Sequence, residues 1–557
     1  MPKWAFALIA IVSIILGWQL FRPGYYPMHD DLQVMRMYQM DICFKDGQIP
    51  CRWARDMGNG FGQPMFNYYS AFPYYLGQAF RQLGLQYVDI VKIVFFLSLF
   101  VSGLSMYLLS SIFLSTTSSV IASIAYLTFP YHALDIFVRG ALSESWGLAL
   151  VPLTIYSCLN FLRQGSLKKG LSFSTSLSLL LMTHNLTTLF TAPLLVIFVT
   201  FSLLYFKLSF KNLIKLIPYG ILGLGLGAFF WLPLSFEKNL IQSKFFTLDY
   251  FDYHAHFVSV SQLFTKPIWG YGPSKFGVDD DLSFYFGLIP TLTLFLSPLL
   301  LLSKRVRSHP HLIVKYLFFV ILTFGFLLLT HNKSVLLWEK LPLISFAQFP
   351  WRFLGQAALM GSLLIGLVYE VIAKSTRMGK RLFICLTIGL IISNFSFFTF
   401  EKYFYWIDDK QKLSGELFNL QARAALLDYL PETSVKIPDG PSTKFPELLS
   451  GRANINYFEN RSNFYSSEFD VYTDEIKVKF PIMYFPGWTF YLDRNPKPIK
   501  IELSKDYGQP EIILPKGHHL VQAFFEDTPI RKLANWLTII SFLILVSLYI
   551  YDDRKNQ

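Results

Sequence analysis

Charge is what this 557-residue chain has least of: only 15% of its residues are Asp, Glu, Lys or Arg, against 53% hydrophobic and 18% aromatic. A soluble globule of that length needs far more charge on its surface. A disordered or collagenous chain would not carry 56 Phe and 31 Tyr. With those classes excluded, a membrane protein remains. Acidic residues are the scarcer sign, 37 against 49 basic, for a formal net charge of +12. Cysteine is scarce too, at four. No Cys/His spacing matches a zinc site, no Gly-rich phosphate loop follows a strand, and no GxSxG elbow or kinase signature is present.

What the chain does have is long apolar runs. Crossing a bilayer as a helix takes about 20 mostly apolar residues. Twelve spans fit, near 4–21, 91–112, 115–131, 146–162, 170–184, 186–206, 214–234, 284–303, 313–331, 353–373, 382–399 and 533–551. Four short loops are basic with no acidic residue: Arg163, Lys168 and Lys169; Lys207, Lys211 and Lys215; Lys304, Arg305, Arg307 and Lys315; Lys374, Arg377, Lys380 and Arg381. By the positive-inside rule all four are cytoplasmic. An even number of crossings must separate them, so 170–206 turns back on itself at Thr183-His184-Asn185, and 91–131 is a helix pair. These loops hold 14 basic residues, leaving 35 basic and 37 acidic for the rest of the chain. The positive excess is therefore topological, and no nucleic-acid partner is needed. Both termini fall in the cytoplasm. The run after Met1-Pro2-Lys3 has no small-residue cleavage site beyond Leu20 and reads as an uncleaved first span.

The same parity puts every long segment on the exoplasmic side: the loop 22–90, then 235–283, 332–352 and 400–531. The expected organisation is a transmembrane module over 1–399, an exoplasmic domain over 400–531 that is β-rich from about 470, and a final span with a cytoplasmic tail over 532–557. Period-2 runs at Ile476-Lys477-Val478-Lys479-Phe480 and Ile499-Lys500-Ile501-Glu502-Leu503 predict a small all-β, sandwich-like domain. Turn signals at Phe485-Pro486-Gly487-Trp488 and Pro515-Lys516-Gly517 support it. Cys158 and Cys385 fall in spans as small apolar packing residues. Cys43 and Cys51 share the first exoplasmic loop, where oxidation can bridge them.

Ionisable residues are almost missing from the spans; Glu370, near a cytoplasmic end, is the clear case. Ion-coupled transporters place carboxylates near the midplane, so that class is disfavoured. Polar residues gather instead where spans meet the exoplasmic face: Tyr25-Tyr26-Pro27-Met28-His29-Asp30-Asp31, Arg139-Gly140-Ala141-Leu142-Ser143-Glu144, His184-Asn185, His331-Asn332 and Phe349-Pro350-Trp351-Arg352-Phe353. Converging, they would build one interfacial cavity, with carboxylates to take a proton and cations to hold a departing phosphate. Each has a structural reading as well. Asp30 with Gln33 makes a capping box, and Arg139 pairs with Glu144 or snorkels to headgroups. His184-Asn185 satisfies a tight turn, and Arg352 beside Trp351 anchors the interface. Residues 58–75, rich in aromatics, Gly, Asn and Gln, suit sugar rings or an interfacial aromatic belt.

A first span, an outer loop with the acidic pair of His29-Asp30-Asp31, many further spans and a C-terminal outer domain resemble the C-type glycosyltransferase superfamily, polytopic enzymes that use lipid-phosphate sugar donors. More closely, Arg139-Gly140-Ala141 with Ser143-Glu144, Thr183-His184-Asn185, Phe349-Pro350-Trp351-Arg352 and Tyr484-Phe485-Pro486-Gly487-Trp488 resemble the bacterial membrane proteins labelled 6-pyruvoyl-tetrahydropterin synthase-related, over nearly the whole chain. The ending, Gly487-Trp488 through Leu514-Pro515-Lys516-Gly517-His518-His519 into the last span, is also similar to a bacterial family implicated in glycosylating lipoteichoic acid. The label's pterin chemistry finds no compact zinc-binding histidine set here, so neither pterin nor zinc is expected.

The superfamily resemblance implies a multi-pass enzyme of the bacterial cell membrane, a hexosyl or pentosyl transferase. It would move a sugar from polyprenyl phosphate to a cell-envelope glycan or polymer acceptor on the exoplasmic face, with inversion. Asp30 or Asp31 matches the acidic motif and is expected to deprotonate the acceptor, Asp31 foremost, or to hold a divalent cation such as Mg or Mn. From charge and location alone, His29, Arg139, Glu144, His184, Asn185 and Arg352 are the expected substrate and phosphate contacts. Two other readings compete. A flippase or transporter for lipid-linked saccharide is disfavoured by charge-free spans, and scattering of the polar points would favour an envelope assembly protein.

Overall fold

The computed structural model describes residues 1–555 apart from 278, 342, 374 and 375. Lys374 of the fourth basic loop thus lies outside the described residues. The first helix, α1 (Lys3–Gly17), runs on through one tighter turn to Phe21. The loop after it folds α2 (Gln33–Lys45) and α3 (Phe72–Arg81). The bundle continues with α4 (Tyr87–Ser110), α5 (Thr116–Leu127), the short segment Pro130–Arg139, α6 (Leu142–Gln164), α7 (Leu167–Leu181), α8 (Asn185–Tyr205), α9 (Phe210–Leu226) and α10 (Ala228–Phe236). After a long irregular stretch come α11 (Leu288–Leu296), α12 (Pro310–Thr330), α13 (Leu354–Ile372), α14 (Thr376–Asn394), α15 (Gly415–Ala424) and α16 (Pro529–Lys555).

Among the described residues eight helices are long and apolar enough to cross a bilayer, and two bent pairs raise that to ten. Each of the twelve expected positions holds a helix, but not all are straight spans. The expected 115–131 span bends by 44° between α5 and Pro130–Arg139, and 214–234 bends by 77° between α9 and α10. Proline, lacking an N–H, enters at Pro130, and Gly227 sits at the second break. The positions 170–184 and 284–303 hold only the 15-residue α7 and the short apolar stretch Leu288–Leu302. The expected turn at 183–185 is present, with His184 capping α8.

α6 lies at the centre, buried along most of its length against α4, α7 and α8, and α13 packs on α5 and α12. The basic loops meet at one end of the bundle. There Lys315 donates to the Phe113 carbonyl at 2.9 Å and lies 3.6 Å from Glu370, which accepts from the Ser115 N–H. Glu370 is not the only charge in the apolar helices: Asp135 is wholly buried in Pro130–Arg139, and Lys92 of α4 donates to the carbonyls of Arg22 and Gly24. Cys158 is buried as expected, whereas Cys385 is exposed on α14.

The C-terminal sheet comprises β1 (Glu447–Ser450), β2 (Ala453–Asn460), β3 (Phe464–Lys479), β4 (Trp488–Leu492), β5 (Glu502–Leu503) and β6 (Pro510–Phe525). It is one continuous six-stranded antiparallel sheet rather than a sandwich of two, and it starts at 447, not 470. Long β3 and β6 pair from Phe464↔Phe524 to Lys479↔Glu511, and the short strands flank either half. Ile476, Val478 and Phe480 are buried in alternation, as their spacing predicts. Pro515-Lys516-Gly517 is not a turn: it lies within β6 opposite the register break between Val471 and Glu475. A bulge tolerates both the missing proline N–H and the +136° φ of Gly517.

Two contacts fix this sheet to the bundle. Trp53 packs against Phe485, Trp488 and Phe525, just beyond the Cys43–Cys51 disulfide. Beside them the fully buried Arg531 of α16 lies over the Phe485 and Phe525 rings and pairs with Glu237 at 2.9 Å.

Candidate functional site

A cavity of about 490 Å³ opens at the end of the bundle opposite the basic loops, beside the sheet domain. Glu144 in its wall and Arg163 on the far side mark the two ends of α6. Four of the five expected polar points meet there, through His29 and Asp30; Arg139, Ala141, Ser143 and Glu144; His184 and Asn185; and Phe349, Trp351 and Arg352. His331 does not; it accepts from the Lys333 N–H in its own turn, outside the cavity wall.

The floor is built by a reversal. Pro130–Arg139 ends at Gly140, whose φ of +65° suits glycine and where a Cβ would press into Met28. The chain then turns into α6 and sets Arg139 Nη2 2.9 Å from Glu144 Oε2. Arg139 also pairs with Asp135 one turn back and lies over the Trp351 ring, 4.6 Å from its centre. Glu144 accepts from the Tyr131 hydroxyl at 2.5 Å and lies 3.3 Å from Arg352 Nε. Arg352, stacked over Phe349 rather than Trp351, donates through Nη1 to the Ala347 carbonyl at 2.8 Å and Gln348 at 2.9 Å. Its Nη2 has no partner among the described residues. Arg139 is thus satisfied by protein, and Arg352 keeps a donor in reserve.

The acidic pair divides. The N–H groups of His29 and Asp30 donate to the carbonyls of Val138 and Arg139, strapping this loop to the reversal. The Asp30 carboxylate faces the cavity and accepts from Arg36 at 2.6 Å, Gln33 at 3.0 Å and Tyr69 at 3.4 Å. It caps nothing: α2 starts after Leu32, with no side-chain cap. Asp31 is absent from the cavity wall and takes Lys412 Nζ at 2.6 Å. Burial pushes its pKa up to about 6 against the pull of Lys412. Each carboxylate therefore has its own cation, and no set of three His, Cys, Asp or Glu side chains converges among the described residues. The pair does not fit the divalent cation that the resemblance implied.

His184 Nδ1 accepts from the Thr187 N–H, and Asn185 donates to the Tyr68 carbonyl at 3.0 Å, leaving its buried Oδ1 unpartnered. Their turn-satisfying role is real, yet both side chains also line the cavity. Of the segment 58–75 only Tyr68, Tyr69 and Ser70 reach it; Phe61 is buried against Leu426, Leu430 and Met483. Three features of the wall escape sequence reading. Lys238 follows α10 and pairs with no described residue; Asp428 follows α15 and is equally unpaired; and Leu186, Leu234, Ile241, Phe246, Phe251 and Leu282 supply apolar lining. The only signal for Asp428 is one acidic residue inside Leu426-Leu427-Asp428-Tyr429-Leu430. Unpaired Lys238 and the spare Arg352 donor, among apolar lining residues, suit an amphiphilic anion.

A family model described as 6-pyruvoyl-tetrahydropterin synthase related domain, a membrane protein, matches residues 66–401. No curated protein matches the chain. Among solved structures, the cryo-EM structure of the mycobacterial arabinofuranosyltransferase AftD is similar at 14% identity and a TM-score of 0.46, covering 73% of this chain and 28% of that one. A mutant of the same protein matches at 14% identity and 0.44, covering 73% and 29%. This chain spans less than a third of the length of those two structures.

Proposed function

The chain belongs to the 6-pyruvoyl-tetrahydropterin synthase related family of membrane proteins, and on that premise we propose that it is a membrane glycosyltransferase of the C type. It transfers a hexose or pentose from polyprenyl phosphate to a glycan or polymer of the bacterial cell envelope, on the exoplasmic face of the cell membrane. The observation that carries the reading is the make-up of one cavity: the free Nη2 of Arg352 and unpaired Lys238, the carboxylate of Asp30, and an apolar wall share about 490 Å³.

In this reading the donor's phosphate sits against Arg352 and Lys238 through charge-assisted hydrogen bonds, and the start of its tail lies along Leu186, Leu234 and Phe246. Glu144, between Arg139 and Arg352, holds both guanidinium groups in place and limits the positive charge at the floor. The acceptor enters from the side of Asp30 and Tyr69. Its hydroxyl attacks the anomeric carbon, polyprenyl phosphate departs, and the anomeric configuration inverts. Of the acidic pair, Asp30 is the member placed to meet the acceptor, while Asp31 holds Lys412.

The test is to incubate the purified protein with labelled polyprenyl-phosphate pentoses and hexoses and an envelope-glycan acceptor. The expected result is labelled glycan of inverted anomeric configuration with stoichiometric polyprenyl phosphate. Absence of transfer from every donor would overturn the reading.

A further inference from the structure

Three carboxylates line the cavity, and one of them has no side-chain partner among the described residues. Glu144 accepts from Tyr131 and lies against two guanidinium groups. Asp30 accepts from Arg36, Gln33 and Tyr69. Each of these two already holds a guanidinium as counter-charge, Asp30 with all three of its contacts on Oδ2. Asp428 accepts nothing from any described residue, although it stands in the same wall.

Its position is rigid. The turn that carries it is held from one side by Gln63, whose amide donates to the carbonyls of Ala425 and Leu426 at 3.0 and 2.9 Å, and by the Asn59 N–H on the Ala422 carbonyl. From the other side the Gln242 N–H donates to the Leu430 carbonyl at 2.9 Å. Next in sequence, Tyr429 stacks on Tyr68 with the rings 6° from parallel and meets Tyr69 edge-on. An unpaired carboxylate fixed by three tethers at the rim of a substrate cavity is a device for contact with something that enters.

Resting on the glycosyltransferase reading above, we propose that Asp428 is the proton acceptor for the acceptor hydroxyl, supplied to the cavity by the chain beyond the transmembrane module. In the step, the acceptor O–H bond breaks and its proton passes to the Asp428 carboxylate. The acceptor oxygen bonds to the anomeric carbon, and the bond from that carbon to the phosphate oxygen breaks, its electron pair leaving with polyprenyl phosphate. The charged groups that act on Asp428 are Arg36 of α2 and Asp30 from the loop before it, with Tyr429 of its own turn beside it. Burial pushes its pKa up to about 6; Arg36 pulls it down and Asp30 pushes it up. That range suits a base working near neutral pH.

The experiment measures transfer by wild type, Asp428→Asn and Asp428→Glu between pH 4.5 and 8, together with thermal unfolding. For Asp428→Asn the expected kcat loss is about 100-fold or more, with donor KM within about threefold and the rising limb near pH 6 gone from the residual rate. Asp428→Glu recovers part of kcat and a limb. The melting temperature of Asp428→Asn at pH 7.5 equals or exceeds that of wild type, because an unpaired buried charge has been removed. A kcat within threefold of wild type with the limb intact would overturn the assignment, as would an activity loss that tracks a lowered melting temperature. An active wild type with an active Asp428→Asn sinks this assignment alone, whereas a wild type that transfers nothing sinks the glycosyltransferase reading with it.

Discussion

Replacing Arg352 by Gln separates a substrate cation from a structural one. In the folded protein its guanidinium is anchored through Nη1 on Ala347 and Gln348 and lies 3.3 Å from Glu144 through Nε. Nη2 makes no hydrogen bond to a described residue, so one charge-assisted hydrogen bond is available to a phosphate. Such a bond contributes about 1.5–3 kcal/mol, and each 1.4 kcal/mol is tenfold, so donor KM should rise roughly 10- to 140-fold. Glu144 keeps Arg139 and Tyr131, so the melting temperature should stay near that of wild type. Arg352→Lys keeps the charge without the planar fork and should fall between the two. The assay is initial-rate transfer against donor concentration in detergent, with thermal unfolding in parallel. Unchanged donor KM in a folded Arg352→Gln protein would refute the assignment of Arg352 to the phosphate.

The remaining predictions concern the frame around the cavity and its pH response. Gly140→Ala forces a side chain into the left-handed region and into Met28; it should cost about 1–2 kcal/mol and lower transfer by shifting the His29–Asp30 strap, read as a lower melting temperature together with reduced kcat. Glu144→Gln leaves two buried guanidinium groups short of their shared counter-charge and should destabilise by about 3–5 kcal/mol, whereas an unchanged melt would show the network to be idle. Asp31 and Asp428 are both pushed up to about 6 from an ordinary 3.8. The folded chain therefore binds their protons more tightly than the unfolded chain does. Their stability contribution is present below about pH 4 and lost as pH rises through about 6, and unfolding across that window should show Asp428→Asn with a shallower decline than wild type.

The membrane class and the helical positions could be read from sequence because hydrophobic length is a local property. The bends at Pro130 and Gly227 were less visible, since an apolar run does not record its direction. Tertiary pairing decides the sheet: Pro515-Lys516-Gly517 carries turn residues, yet it continues β6 because β3 supplies a partner strand, with the bulge on β3 opposite it. In the site, four of the five polar points at span ends line one cavity. Adjacent Asp30 and Asp31 could not be told apart, because their difference lies in Arg36 and in Lys412, the latter 381 residues away. Asp428 was invisible for the same reason: Gln63 and Gln242, remote in sequence, hold its turn against the cavity. Lys238 likewise gains meaning only from the bend that brings the end of α10 to the rim.

The most direct test of the account is a cryo-EM structure of this chain with polyprenyl phosphate, the proposed leaving group. The account predicts phosphate density within hydrogen-bond distance of Arg352 Nη2 and Lys238, with the tail leaving along Leu186, Leu234 and Phe246. A phosphate bound elsewhere on the bundle, with this cavity empty at saturating lipid, would contradict it.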